Sequence, residues 1–243
     1  MKPSRKQREI QEREQRLLDV AQSMLLERGY LGLTMDRIAD QLECSKGTVY
    51  QHFGNKEDLL AAVAVRSGEL RAALFERATR FRGLSRERIG ALGAAAEVFM
   101  RLYPHHEQAE KLIRSASIRS KVAEQRRQEL TFCESRCMNS ALGIIRDAVA
   151  GGELQLREEE GQGPESLTFG LWSLYVGSFL VMDLDLLGPL GIEDPRPHLL
   201  RNAQTLLDGV GWRPLSSEFD YLASRDRALR EIFPAEAERA ELL

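Results

Sequence analysis

Between Ser45 and Phe53 the chain reads SKGTVYQHF. Wound as a helix, this stretch sorts into two faces. Val49 and Phe53 stand at i and i+4 and can be buried together, which leaves Lys46, Gly47, Thr48, Tyr50, Gln51 and His52 on the outer side. Ammonium, hydroxyl, amide and imidazole groups are thus concentrated on one short helix, as the reading of base edges and phosphates in a major groove requires. The same pattern also serves an ordinary hairpin of two helices, and spacing alone does not separate these readings.

Other residues with chemical potential are scattered. His106 and Glu110 lie at i and i+4 beside His105 and Glu107, but a third clustered ligand is missing, so a polar helix face is expected and no metal site. Cys133 and Cys137 share that spacing and read as buried structural thiols, while Cys44 precedes the donor-rich helix as an inert thiol. Asp183 and Asp185, two residues apart, point to different sides of a helix and make no acid/base pair. No phosphate-binding glycine loop, zincin helix or nucleophile elbow occurs, so neither an enzyme nor a cofactor is expected.

The donor-rich helix needs supports, and its flanks supply them. Thr34 is an N-cap, Asp36 sits in the first turn of the helix it opens, and Ile38, Ala39 and Leu42 form that helix's apolar face. Glu43-Cys44 makes the turn and Ser45 caps the next helix. Upstream, Leu17, Val20, Ala21, Met24 and Leu25 form an amphipathic stripe ended by Gly29. Downstream, Asn55 caps a long helix with Glu57 and Asp58 in its first turn and apolar residues from Leu59 to Phe75, running until Gly83.

Beyond Gly83 every segment reads as helix: Ser85 to Tyr103, Pro104 to about Arg114, Ile118 to Val149, Leu167 to Leu187, Asp194 to Val210 and Ser217 to Phe233. Gly151-Gly152 stops the third of these, Leu156 to Gly163 is an acidic loop, and the end after Pro234 is expected to fray. The expected fold is all-α. It has a three-helix N-terminal domain over residues 1–60 and a larger helical domain over 61–243.

The chain of 243 residues is 43% hydrophobic and 29% charged, with a net charge of −3, which describes a globular protein with ample core. Residues 1–60 hold ten Lys/Arg and ten Asp/Glu. Basic charge gathers locally, with Lys2, Arg5, Lys6 and Arg8 ahead of the first acid, so the lead-in is either a solubilising segment or an arm on DNA. Three cysteines without framework spacing point to a reducing compartment. The N-terminus has no apolar signal, and the longest charge-free stretch, Ser166 to Met182, is 17 residues and falls short of a membrane span. A cytoplasmic protein with no membrane partner is expected.

The segment GLTMDRIADQLECSKGTVYQHFGNKEDLL resembles the DNA-binding segment of TetR-family transcriptional regulators, through Gly32, Thr34, Ile38, Ala39, Ser45, Gly47 to Tyr50, His52, Phe53, Asn55 to Glu57 and Leu59. Glu43 stands where that family usually has glycine, which puts the shape of the turn in question. The resemblance covers about residues 12 to 65. It implies phosphate contacts from Thr34, Ser45, Thr48, His52 and Lys56, and base-edge contacts from Lys46, Gly47 and Tyr50; Gln51 is added from its outward position alone. It further implies a homodimer, paired through the last two main helices, which binds operator DNA as a repressor and is released by a small-molecule effector. Phe99, Tyr103, Trp172 and Tyr175 are candidate pocket residues on the segments that enclose the family's effector site. The alternative is a ligand-independent DNA-binding protein whose C-terminal domain only dimerises.

Overall fold

The computed structural model describes residues 4–182, 184 and 187–243, apart from the side chains of His105, Glu107, Glu160 and Phe179. The described residues form α-helices and no strand, in agreement with the all-α expectation. In chain order these are α1 (Arg5–Gly32), α2 (Met35–Gln41), α3 (Lys46–His52), α4 (Lys56–Ala78), α5 (Ser85–Leu102), α6 (Pro104–Ile113), α7 (Ala116–Arg119), α8 (Glu124–Ala150), α9 (Pro164–Val181), α10 (Arg196–Gly209), α11 (Tyr221–Ile232) and α12 (Pro234–Arg239). Two compact units share the chain. The first takes Met1–Leu70 and Tyr103–Glu134, the second Arg71–Leu102 and Ser135–Leu243. Their dividing lines fall inside α4, between α5 and α6, and inside α8, whereas the sequence suggests one division at residue 60.

In the first unit α1 opens with a capping box. The Ser4 hydroxyl accepts from the Gln7 amide at 3.2 Å, and the Gln7 side chain accepts from the Ser4 amide at 2.7 Å. Residues 5–13 are exposed on every side, so the basic lead-in is a solvated helix. From Leu17 onward Leu17, Leu18, Ala21, Met24 and Leu25 are buried. They pack in one core with Ile38, Val49, Phe53, Leu59 and Val63. Ala109, Ile113, Ile118, Val122 and Leu130 complete that core from α6 to α8, an assignment that periodicity does not make, because a stripe does not say which core it faces.

The helix expected from Ile118 to Val149 is broken. Ile118 lies in α7, and α8 begins at Glu124. The interruption follows from the bonds made there: the Lys121 carbonyl accepts from Asn55 Nδ2 at 3.0 Å, and the Ala123 amide donates to the Asp58 carboxylate at 3.4 Å. The Ala123 amide, with one hydrogen to give, is spent on Asp58 rather than on a helix ladder, and Asn55 holds the Lys121 carbonyl beside it.

The second unit is knotted around Arg86, which is fully buried. Its guanidinium donates to the carbonyls of Trp212 and Pro214, to Gln204 Oε1 at 2.7 Å and to Asp208 Oδ1 at 2.6 Å. Trp212, also without exposure, donates to Ser85 Oγ at 3.0 Å. Tyr221 donates to the Pro214 carbonyl at 2.6 Å, and burial pushes its hydroxyl up to about 12.

Farther along α11, Arg225 bonds Glu97 at 2.7 Å and Ser224 bonds Glu87 at 2.5 Å, fastening α11 to α5. The tail expected to fray after Pro234 is instead helical: α12 buries Ala237, and Arg77 binds Glu236. The apolar helix expected from Leu167 starts three residues earlier, where Pro164 takes the favoured first-turn position, and ends at Val181. Asp183 and Asp185 lie outside the described residues. No helix among the described residues is long and apolar enough to cross a membrane.

Candidate functional site

Two caps fix the geometry around α3. Thr34 Oγ1 accepts from the Arg37 amide at 3.3 Å to start α2, and Ser45 Oγ accepts from the Thr48 amide at 3.1 Å to start α3. Ser45 Oγ also lies 2.9 Å from Thr48 Oγ1. Between the caps, the Cys44 amide donates to the Ala39 carbonyl at 3.0 Å and the Glu43 amide to the Asp40 carbonyl at 3.1 Å. This is a Schellman closure, which needs a left-handed residue at its centre, and Glu43 takes φ 50°. A non-glycine residue held there costs about 1–2 kcal/mol. The turn therefore keeps its form and carries strain.

Val49 and Phe53 are fully buried and clamp α3 to the first unit's core. On the opposite side Lys46, Gly47 and Gln51 are exposed, Thr48 is partly covered, and Tyr50 is 52% exposed. Gly47 is informative. A Cβ built there would meet nothing nearer than Ser45 Oγ at 3.6 Å, so the fold itself has no steric need for glycine. Glycine inside a helix costs about 1 kcal/mol relative to alanine. No packing contact calls for it, and its bare backbone is open to close approach by another molecule.

Two other cations are already engaged. Lys46 Nζ lies 2.6 Å from Asp36 Oδ2, and this bond raises the ammonium's pKa. Lys56 is half-buried with Nζ 3.8 Å from the centre of the Tyr30 ring, and burial lowers its pKa. Tyr30 donates to Glu57 at 3.1 Å, and Lys121 pairs with the same carboxylate at 3.1 Å. His52 departs from the outward row expected for it. Its side chain is 8% exposed, with Nδ1 4.0 Å from Glu14 Oε2 and its ring 6.1 Å from that of Phe53, so α1 draws it inward.

The second unit contains a cavity of about 120 Å³ with an almost wholly apolar lining. Phe75, Leu92, Met100, Met138, Trp172 and Tyr175 line it. The ring centres of Trp172 and Tyr175 are 5.7 Å apart, and Phe75 meets Tyr175 edge-on at 6.3 Å. Two of the four expected pocket residues therefore share one cavity. Phe99 is fully buried and packs beneath the Arg71 guanidinium at 5.9 Å, away from the lining. Tyr103 belongs to the first unit, where its ring meets His106 edge-on at 5.7 Å.

The sequence carried no signal for Phe75, Met100 or Met138, since an apolar side chain beside a void looks the same as one filling it. Cys137 also lines this cavity. Cys133 is buried in the first unit, with its Sγ 3.8 Å from the Val65 carbonyl. Glu110 accepts from Ser67 at 2.8 Å, and no group of three or more possible metal ligands occurs among the described residues.

Residues 17–63, which hold α2, α3 and the helices bracing them, match the family model described as bacterial regulatory proteins of the tetR family. Over these residues the chain is similar to the DNA-binding segment of TetR-family regulators. Its relatives are transcriptional regulators and not enzymes. Over 102 residues it is 36% identical to the HTH-type transcriptional activator FasR of Mycolicibacterium smegmatis (strain ATCC 700084 / mc(2)155). That match spans 42% of this chain and 45% of the relative, less than half of either.

Among solved structures it is similar to a bacterial regulatory protein in the tetR family from Rhodococcus RHA1. The TM-score is 0.62 at 18% identity, over 81% of this chain and 96% of that one. A transcriptional regulator of the TetR/AcrR family from Thermobifida fusca YX-ER1 gives 0.58 at 21% identity, over 82% and 98%. At these identities the two structures establish the fold alone.

Proposed function

We propose that this protein is a TetR-family operator-binding homodimer that inserts α3 into the major groove and acts as a repressor released by a small-molecule effector. The observation that carries the reading is Gly47, an exposed helical glycine that the fold does not need, set beside Lys46, Tyr50 and Gln51. Lys46, Gly47, Tyr50 and Gln51 approach base edges. Thr34, Ser45, Thr48, His52 and Lys56 serve the phosphates, His52 after turning out from Glu14.

Dimerisation is supported by α9, which leaves Phe169 65% exposed and Leu180 and Val181 at about 40%, an apolar face without cover in one protomer. The effector role rests on the cavity around Trp172 and Tyr175. Lys56 and the cavity residue Phe75 lie on one uninterrupted helix, α4, which gives a ligand a lever on the reading head.

The test is fluorescence anisotropy with an operator selected from random duplexes, read with and without a deproteinised small-molecule extract of the source cells. The wild type releases DNA on addition of extract, whereas Ala96→Trp, which fills the cavity, stays bound. Equal release of both proteins would move the effector elsewhere. No release from the wild type by any metabolite fraction would favour the ligand-independent reading. A transcription assay with the operator upstream of, or overlapping, the promoter reads the sign of regulation; the FasR relative is named an activator.

A further inference from the structure

The apolar cavity is continuous in its lining with a second space in the same unit. Glu97, Arg196 and Leu200 border both the cavity and a polar cleft of about 970 Å³ between α5, α10 and the start of α11. A molecule occupying both would present an apolar body to the first and a polar end to the second. The charge of that end follows from which rim groups are already satisfied.

The carboxylates are taken. Glu97 accepts two bonds from Arg225, at 2.7 and 2.8 Å, and Asp194 accepts from Arg196 at 2.7 and 3.0 Å. Glu218 binds Arg213 at 2.6 Å and the Leu215 amide at 2.8 Å, and Asp220 caps α11 through the Leu222 and Ala223 amides. Two guanidiniums of the cleft, Arg101 on α5 and Arg201 on α10, are exposed and form no salt bridge among the described residues. Arginine presents a fork of donors that matches carboxylate and phosphate oxygens; Arg101 acts on Asp194 only through its field, that carboxylate being bonded to Arg196, so both forks remain open for recognition.

We propose that the effector is an anionic amphiphile, its hydrocarbon chain in the cavity beside Trp172 and Tyr175 and its carboxylate or phosphate head held by Arg101 and Arg201. This rests on the effector reading above and adds the chemistry of the ligand. Burial of the chain in the cavity supplies affinity, and the head fixes orientation and sign.

The probes are hexanoate, hexyl phosphate, 1-hexanol and hexyltrimethylammonium, which share one chain short enough for a cavity of about 120 Å³ and differ in head. They are titrated calorimetrically into the full-length protein below their micellar concentrations. The expected order places one or both anions at least tenfold tighter than the alcohol and the ammonium last; the tighter anion identifies the head. In R101Q/R201Q, whose side chains are on the surface and whose folding is checked by circular dichroism, the anion should fall to the affinity of the alcohol. The alcohol itself should bind that variant as it binds the wild type.

Equal binding of alcohol and anion, tighter binding of the ammonium, or an anion preference that survives R101Q/R201Q would each overturn the proposal. Binding of none of the four would overturn it as well. The effector reading would then still be judged separately, by release of operator from the wild type and from Ala96→Trp.

Discussion

The outer face of α3 and the cavity of the second unit are both candidate sites, and they differ in how they depart from packing logic. On α3 the candidate residues are those the fold does not use: Gly47 has nothing to avoid, and Tyr50 keeps half its surface in solvent. In the cavity every residue is of a type that a core would choose, and only the missing volume marks the place. A surface site announces itself by misplaced chemistry. A cavity announces itself by absent atoms, which no list of residues contains.

That contrast can be tested from its structural base upward. The largest expected effect is at the knot of the second unit. Arg86→Met leaves four carbonyl or amide oxygens without this donor and Asp208 with Ser216 alone, and should cost about 3–5 kcal/mol, as the loss of one partner from a buried ion pair does. Thermal or urea unfolding measures it; a loss below 1 kcal/mol would mean that the cage is not what holds α5 to the 204–214 segment.

Next comes Tyr50→Ala, which should remove about 1–3 kcal/mol of operator discrimination while hardly changing the affinity for random duplex. If operator preference stays intact in an anisotropy competition, α3 is not the reading helix.

Gly47→Ala sharpens the comparison because its two effects have opposite signs. Helix propensity should raise stability by about 0.5–1 kcal/mol, whereas the added methyl should weaken operator binding. A variant that is both more stable and an equal binder would remove the main support for the proposed interface.

Glu43→Gly relieves the left-handed strain and should stabilise the protein by about 1 kcal/mol, seen as a shift of the unfolding midpoint without a change in slope.

The last effect is a pH dependence, felt only in alkaline solution. The folded-state pKa of Tyr221 is raised, so its contribution is fully present below the unfolded value near 10 and is lost as pH rises through about 12. Tyr221→Phe should flatten that part of the stability curve; an unchanged slope between pH 10 and 12 would assign the loss to other groups.

Much of the first unit was legible in advance, because its signals are local. Thr34 and Ser45 cap where their types demand, Asn55 caps α4 by accepting from the Asp58 amide at 2.7 Å, and Val49 and Phe53 bury as their spacing requires. What was not legible depended on distant partners. The break before α8 needs Asn55 and Asp58, the inward turn of His52 needs Glu14, and the order of the tail needs Arg77 on a helix more than 150 residues away. Phe99 and Tyr103 show the same limit from the other side. Both are aromatics on plausible helices, yet one packs away from the cavity lining and the other lies in a different unit.

The Asp36–Lys46 pair has a consequence for how such a protein would search a genome. If Lys46 reads bases as proposed, it does so from an exposed ion pair, with a carboxylate of its own chain 2.6 Å away as a weak built-in competitor. Every stretch of duplex the protein meets must displace that competitor before it gains the contact. Random sequence offers a phosphate or a poorly placed base edge in exchange, so the trade is close to even. Only a site that aligns a good acceptor with Lys46, while Tyr50 and the backbone at Gly47 also find their places, makes the exchange favourable. On that reading the Asp36 carboxylate would lower the time spent on the wrong DNA more than the time spent on the right one.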